Sequence, residues 1–322
     1  MCLNSIFSET LGVRPKVVDA TDYCQAELPS GLPVYAKFYG GRSNLLIAIP
    51  MGAMAKGLET TRATTLMIAN HGSYAVGGGG LGIQSNTGQI YLTRYFPINS
   101  ECSFDPQRYR SVAGFCKVAE EFTCPIVAGV NALQVSNESG KLEIPGQPFP
   151  EPESGVDGQL SEPKPGHEVV SNASQFLGEA LAMNGLSFEG FDSDLAWYLG
   201  HENENLMSQV RLDPVSNELE LRSLIGEVDP LEGPLDVLQL FSSNYLLGES
   251  NHCVLGISEK APHQITLRLT VPLELMTPDP VCLANVISGF LNNTEAQHQR
   301  WFPTNSGQVQ QPHLVMKQSM LV

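Results

Sequence analysis

The sequence predicts an α+β fold of two repeated modules, each running α-β-β-β-α-β-β-α with an antiparallel sheet, and three observations carry the prediction. The chain has 322 residues, about two domains at roughly 100 to 200 residues each. Near its middle, Pro145, Pro148, Pro150, Pro152, Pro163 and Pro165 lie among Gly, Ser and Glu without apolar periodicity, so residues 125–170 read as a linker. The parts on either side match one another. An offset of 174 superposes Asn70 on Asn244, Leu81-Gly82-Ile83 on Leu255-Gly256-Ile257 and Asp105-Pro106 on Asp279-Pro280. Between these points an offset of 175 carries Ile90 onto Ile265, Leu92 onto Leu267 and Pro97 onto Pro272, which needs one inserted residue and one compensating deletion, both placeable in turns. The expected division is a first module at 1–124, the linker at 125–170, a second module at 171–303 and a tail at 304–322.

Each module opens with a helix. Leu3, Ile6, Phe7 and Leu11 fall at helical spacing, as do Phe176, Leu177, Ala180 and Leu181, and the runs end near Gly12 and Gly185. Strands follow around Val34 to Phe38 and Asn44 to Ile49 in the first copy. In the second they follow around Leu195 to Leu199, Gln209 to Leu212 and Leu219 to Ile225, an antiparallel meander. A middle helix runs from about Leu58 to Asn70, matched by Leu231 to Asn244. The second of these is apolar on two sides, Leu231, Leu235, Leu238 and Tyr245 on one and Val237, Leu240 and Phe241 on the other, so it is buried on two sides. Two strands come next, around Leu-Gly-Ile and over Gln89 to Tyr95 or Gln264 to Val271. The last helix starts at Asp105-Pro106 or Asp279-Pro280, where the carboxylate accepts from free amides and proline loses no needed donor.

Composition narrows the function. Hydrophobic residues make up 42% and charged residues 16%, enough apolar surface for a globular chain. Lys+Arg 18 against Asp+Glu 34 gives a net charge of -16, which repels phosphate backbones, so nucleic acid is not expected as a partner. The charge is uneven: residues 1–124 hold 10 basic and 9 acidic side chains, the linker 2 and 7, and residues 171–322 hold 6 and 18. Seven scattered cysteines without Cys-x-x-Cys spacing read as reduced thiols. No signal peptide and no run approaching the roughly 20 apolar residues of a membrane span is visible, so neither export by the usual route nor membrane insertion is expected.

Chemistry has little foothold. Gly77, Gly79 and Gly82 fit G-x-G-x-x-G, yet the segment runs on into a strand rather than a helix, so it reads as a hairpin turn or glycine-rich edge and no cofactor is expected. His71, His167, His201, His252, His263, His298 and His313 show no i, i+4 pairing, which leaves zinc unsupported. Cys116 and Cys282, on the final helices, face the core as inert thiols. The acidic runs Glu202 to Glu204 and Glu227 to Glu232 read as solvated faces, with a basic patch on a partner as the sharper alternative.

The element order, the asparagine closing each middle helix, the Leu-Gly-Ile strand, the apolar strand ending in proline (Tyr91 to Pro97; Thr266 to Pro272) and the aromatics ending the final helix (Phe122; Trp301 and Phe302) resemble the class I chaperones of type III secretion, the Tir-chaperone-like family, present twice in tandem. The resemblance spans almost both modules and leaves out the linker and tail. It implies a small, acidic, non-enzymatic protein of the bacterial cytoplasm that holds the N-terminal segment of secreted effector proteins in non-globular form and delivers it to the secretion apparatus, whose components are further partners. The family's usual homodimer is in question, because two copies in one chain form a pseudo-dimer by themselves if unlike modules pair. The linker, on the order of 35 to 40 Å as a coil, permits it, and the charge split favours it modestly, given screening within about 8 Å at physiological ionic strength. A homodimer pairing like modules is the alternative.

A holder of unfolded segments needs shallow apolar grooves and available strand edges. The candidates are Ile6, Phe7, Leu11, Val34 and Tyr35 in the first module and Phe176, Leu177, Leu181, Leu195 and Trp197 in the second, each with filling the module's own core as its alternative role. Leu231, Leu235, Leu238, Phe241 and Tyr245 are candidates for packing one module on the other, with burial beneath their own sheet equally open. A non-enzymatic adaptor or regulator binding a folded partner is the rival function, and an enzyme using the glycine loop a weaker third.

Overall fold

The computed structural model describes residues 3–18, 23–39, 43–99, 105–135, 142–143, 167–200, 206–228, 237–247, 252–259 and 263–303. The fold is α+β. In the first half, α1 (Leu3–Ser5) continues as a wider helical turn to Thr10, and the chain leaves it at Gly12, whose φ of +67° suits glycine. Then come β1 (Val17–Val18), β2 (Tyr23–Glu27), β3 (Pro33–Tyr39), β4 (Asn44–Ala53), α2 (Glu59–His71), β5 (Gly80–Gln84), β6 (Gln89–Pro97), α3 (Arg110–Val118), α4 (Cys124–Asn131) and the short pair β7 (Gln134–Val135) and β8 (Leu142–Glu143). The second half runs α5 (His167–Met183), β9 (Ala196–Gly200), β10 (Met207–Asp213), β11 (Glu218–Val228), α6 (Val237–Ser243), β12 (Val254–Ile257), β13 (His263–Pro272), α7 (Leu273–Met276) and α8 (Pro280–Trp301).

The first sheet has the order β1-β2-β3-β4-β6-β5 and the second β12-β13-β11-β10-β9, both antiparallel. Apart from β1, the two are the same sheet: β2-β3-β4-β6-β5 repeats as β9-β10-β11-β13-β12. Register places the shift between the offsets 174 and 175. Leu81 faces Leu92 and Ile83 faces Ile90, as Leu255 faces Leu267 and Ile257 faces Ile265, so the extra residue sits in the hairpin turn. A bulge interrupts β4 between Pro50 and Gly52 and β11 between Leu224 and Gly226, again 174 residues apart.

Period-2 alternation sets the sheets' inward faces: Val34, Ala36 and Phe38 on β3, and Ser208, Val210 and Leu212 on β10, are buried. The final helices begin as their sequences require. The Asp105 carboxylate accepts from Gln107 N at 3.0 Å and that of Asp279 from Val281 N at 2.9 Å.

Two features differ from expectation. The first module has strand Tyr23–Glu27 where the sequence marked none, because its inward positions, Cys24 and Ala26, are too small to stand out as an apolar run. The final helix of that module also runs beyond Phe122 and past Pro125 to Asn131, with proline in the first turn of α4. Val127 and Val130 are buried there, and the Arg62 guanidinium donates to the carbonyls of Val130 (3.2 Å) and Leu133 (2.8 Å). The stretch 125–170 thus carries helix at both ends, α4 and the start of α5. No helix among the described residues is long and apolar enough to cross a membrane.

Candidate functional site

The two sheets meet through equivalent elements. Helix α2 lies on β12 and α6 on β5, so each Leu-Gly-Ile strand meets the other module's middle helix. Glycine makes this possible. A Cβ on Gly82 would fall 2.4 Å from the Asn244 carbonyl carbon, and one on Gly256 would fall 2.7 Å from His71 N. A Cβ on Gly80 would meet the Val254 side chain at 2.5 Å. The glycine-rich run is a site of close approach between halves of the chain, preceded by a turn in which Gly77 and Gly78 have φ of +53° and +75°.

The repeated asparagines close the strands at this contact. Asn70 Nδ2 donates to Leu81 O (2.9 Å) while Leu81 N donates to Asn70 Oδ1 (2.7 Å). Asn244 does the same to Leu255, at 2.9 and 2.8 Å. A carboxamide carries one acceptor and two donors in a plane, so it stands in for the peptide group of a neighbouring strand. The second donor of each reaches across the contact, Asn70 Nδ2 to Leu255 O at 3.3 Å and Asn244 Nδ2 to Met67 Sδ at 3.4 Å. Of the residues expected between modules, Phe241 is fully buried, Leu238 half-buried, and half-buried Tyr245 meets Tyr91 of the other half edge-on at 5.4 Å. Leu231 and Leu235 lie outside the described residues, as do Glu202 to Glu204 and residues 304–322.

Arginines add polar links. Arg94 pairs with Glu218 at 2.7 Å, with side-chain exposures of 4% and 13%, and also donates to Gly77 O. Arg268 donates to Gly79 O, Arg222 to His71 O, and Arg108 to Glu274 O and Thr277 O. The signal for two of them was legible: Arg94 and Arg268 are lone charges in otherwise apolar strands, and such a charge is kept only where partners await it. Burial draws Arg268 down to about 10, with nearby Glu220 opposing that shift.

Two histidines sit in the contact. His71 Nδ1 lies 3.0 Å from Thr266 Oγ1, and the His252 ring stacks on Tyr95 at 4.0 Å and 5°. Burial lowers the pKa of both, and for His71 the Arg222 and Arg268 charges lower it further. Between the halves an open cleft of about 950 Å³ has His71, Tyr74, Arg94, Val215, Glu218 and Arg222 among its walls. Cys116 and Cys253 are buried thiols pushed up to about 12 by desolvation, hence protonated at neutral pH. Among the described residues no cluster of three His, Cys, Asp or Glu side chains is arranged to hold a metal ion.

The ten expected partner-binding residues divide in two. Ile6, Phe7, Val34, Leu177 and Leu181 are fully buried in the core and offer no surface here, because the groove expected along the first helices is filled by the modules' own side chains. Leu11, Tyr35, Phe176, Leu195 and Trp197 are half-buried and keep an accessible face. Trp197 belongs to an aromatic group at the edge of the second sheet, edge-on to Phe188 at 5.5 Å, with Phe188 edge-on to Phe191 at 5.3 Å. Phe188 and Phe191 lie in a segment of irregular backbone, where periodicity carries no signal, so the sequence alone marks neither.

No family model matches the chain, and no curated protein does. Among solved structures, that of the ExsC-ExsE complex is similar over 42% of this chain and 98% of the matched chain, with 20% identity and a TM-score of 0.35. The HopA1-SchA chaperone-effector complex is similar over 38% of this chain and 90% of the matched chain, with 19% identity and a TM-score of 0.28.

Proposed function

We propose that this chain is a tandem, non-enzymatic chaperone of type III secretion, a fused pseudo-dimer that holds the N-terminal segment of one or more effectors in non-globular form in the bacterial cytoplasm and delivers it to the secretion apparatus. Modules 1–124 and 171–303 are the two holding units, and 125–170 and 304–322 are the connecting and trailing segments. The observation that carries the reading is the pairing of two equivalent sheets through Gly82 and Gly256, each pressed on the other's middle helix. That pairing is made within one chain and uses the inner strands β5 and β12, with β1 and β9 at the opposite edge of each sheet. Leu11, Tyr35, Phe176, Leu195 and Trp197 are the side chains available to an extended client.

The test is co-expression with a tagged client followed by limited proteolysis. A chaperone shields one short segment of a client that is otherwise digested; a client recovered as a compact, protease-resistant domain would replace this reading with that of an adaptor. Light scattering near 34.9 kDa is expected for the chain alone, and twice that mass would replace the fused pseudo-dimer with a dimer of chains.

A further inference from the structure

The repeat gives the contact between halves two equivalent clefts, and sheet register fixes which residues correspond. Asn44 faces Pro97 as Glu218 faces Pro272, and Ile47 faces Arg94 as Leu221 faces Leu269. Glu218 is therefore the counterpart of Asn44, and Arg94 of Leu269. One cleft, of about 950 Å³ and walled by α3, contains Arg94 and Glu218. The other, of about 300 Å³ and walled by α8, contains Asn44 and Leu269. The same two positions hold a charge pair on one side of the molecule and neutral side chains on the other.

Arg94 and Glu218 belong to different halves and are both largely withdrawn from solvent. The Arg94 guanidinium also donates to Gly77 O at 2.7 Å and lies over the Phe96 ring at 4.5 Å, both in its own half. Among the described residues, Glu218 is thus the carboxylate that offsets its charge. Arg108, Arg222 and Arg268 cross the contact as well, but to main-chain carbonyls, which every residue carries, so they discriminate little by sequence. Glu220 and Arg222, 2.9 Å apart, pair within the second half and are offset in any arrangement. A further ion pair across the contact, Arg110 Nε with Glu274 at 3.7 Å, has the same sense, cation on the first half and carboxylate on the second. With Arg110 61% exposed, its weight is small.

We propose that Arg94 and Glu218 are the pair by which the two halves select one another: the contact surface of a first half fits a second half and rejects another first half. Two first halves would bury Arg94 against Asn44 in both clefts, and two second halves would bury Glu218 against Leu269. Either arrangement holds two buried charges without an opposite charge, which is costly, whereas the unlike arrangement holds none. Discrimination comes as much from what the like pairings leave stranded as from what the unlike pairing gains. The inference rests on the paired arrangement proposed above and is independent of any client.

The test uses the full chain with charge reversals. Arg94→Glu and Glu218→Arg should each lower the folding equilibrium constant, measured in urea, on the order of 100-fold or more. Both together in one chain should recover about tenfold or more of that loss. The decisive measurement co-expresses the two single variants under different tags. The first half of the Arg94→Glu chain then finds its complement in the second half of the Glu218→Arg chain, and the two unsubstituted halves meet one another. Capture by one tag should retain both chains in equal amounts at twice 34.9 kDa, whereas either variant co-expressed with a differently tagged copy of itself should yield one tag alone. A pair that only stabilised the fold would not produce this exchange. Arg94→Leu with Glu218→Asn gives both clefts the neutral composition and should fold within about tenfold of the parent chain, since a buried ion pair replaced whole costs little. Single reversals that leave the urea midpoint unchanged, a double reversal no more stable than the weaker single, a neutral variant as weak as the single reversals, or capture of one chain from the co-expressed pair each overturns the proposal, whether or not the single variants fold alone. Unchanged single reversals with a parent mass of 34.9 kDa sink this inference and spare the fused pseudo-dimer; exchange between the variants with a parent mass twice that does the reverse.

Discussion

Adding one methyl group at Gly82 tests the contact on which the pairing depends. The new Cβ would lie 2.4 Å from Asn244 C, 2.5 Å from Tyr245 N and 2.6 Å from Asn244 O, all main-chain atoms. Carbon atoms pack at about 3.5 to 4 Å, so the two halves must part by roughly 1 Å or more locally. No rotamer change relieves this, because no flexible side chain is involved. Overpacking typically costs about 1 to 3 kcal/mol, and a clash with main chain on both sides belongs at the top of that range. We expect Gly82→Ala to lower the unfolding free energy by about 3 kcal/mol, and Gly256→Ala, whose Cβ would lie 2.7 Å from His71 N, by about 2. Because the first substitution already separates the halves, the double variant should cost less than the sum. Gly114→Ala is the control: it sits in α3 with nothing within 4 Å, and removing a helical glycine should raise stability by up to about 1 kcal/mol. Equilibrium urea unfolding measures all four. If Gly82→Ala unfolds within about 0.5 kcal/mol of the parent chain, the close approach described here does not exist, since only open surface is that tolerant.

Three further outcomes are expected. Asn70→Ala strands both main-chain groups of Leu81 in a buried place, at about 1 to 3 kcal/mol for each unpaired group, and Asn244→Ala does the same at Leu255; similar losses in urea unfolding are the check. Asp279→Ala removes the cap on Val281 N and should cost about 1 kcal/mol by the same measurement, while Asp279→Asn should recover most of it. His71 and His252 are held neutral with pKa values below their unfolded values near 6.5, so the unfolded chain binds more protons once pH falls below about 6.5 and stability declines from there down to the folded pKa. Buried Glu274, raised chiefly by desolvation, acts in the opposite sense, so the histidine contribution is the difference between the parent and a His71→Gln, His252→Gln chain across pH 5.5 to 7.5. A flatter profile in the double variant is expected, and parallel profiles would refute the assignment.

Much of the fold was legible because its signals are local. The Asp-Pro starts of the last helices, the 174-residue repeat and the Leu-Gly-Ile strands each depend on a few neighbouring residues. Strand Tyr23–Glu27 was not, since small inward residues leave no hydrophobic alternation to read. Nor was the continuation of helix through Pro125, which depends on Arg62 some 70 residues away reaching the Val130 and Leu133 carbonyls. The sequence singled out Asn70 and Asn244 as a repeated mark, but their work as substitute strands appears only when Leu81 and Leu255 are placed beside them. Five apolar residues with helical or strand spacing, Ile6, Phe7, Val34, Leu177 and Leu181, read the same whether they line a groove or fill a core; burial placed them in the core.

The repeat and the α+β class follow from the sequence alone, because they are written in order and spacing, whereas the glycine run reads there as a hairpin turn or edge and its close approach to the other half appears only in three dimensions. Which half meets which, and which strand edges are sealed among the described residues, were decided only by tertiary structure. The reason is physical: a hydrogen bond or a methyl-sized gap between residues more than 160 positions apart is set by the three-dimensional path of the chain, and no local pattern encodes that path.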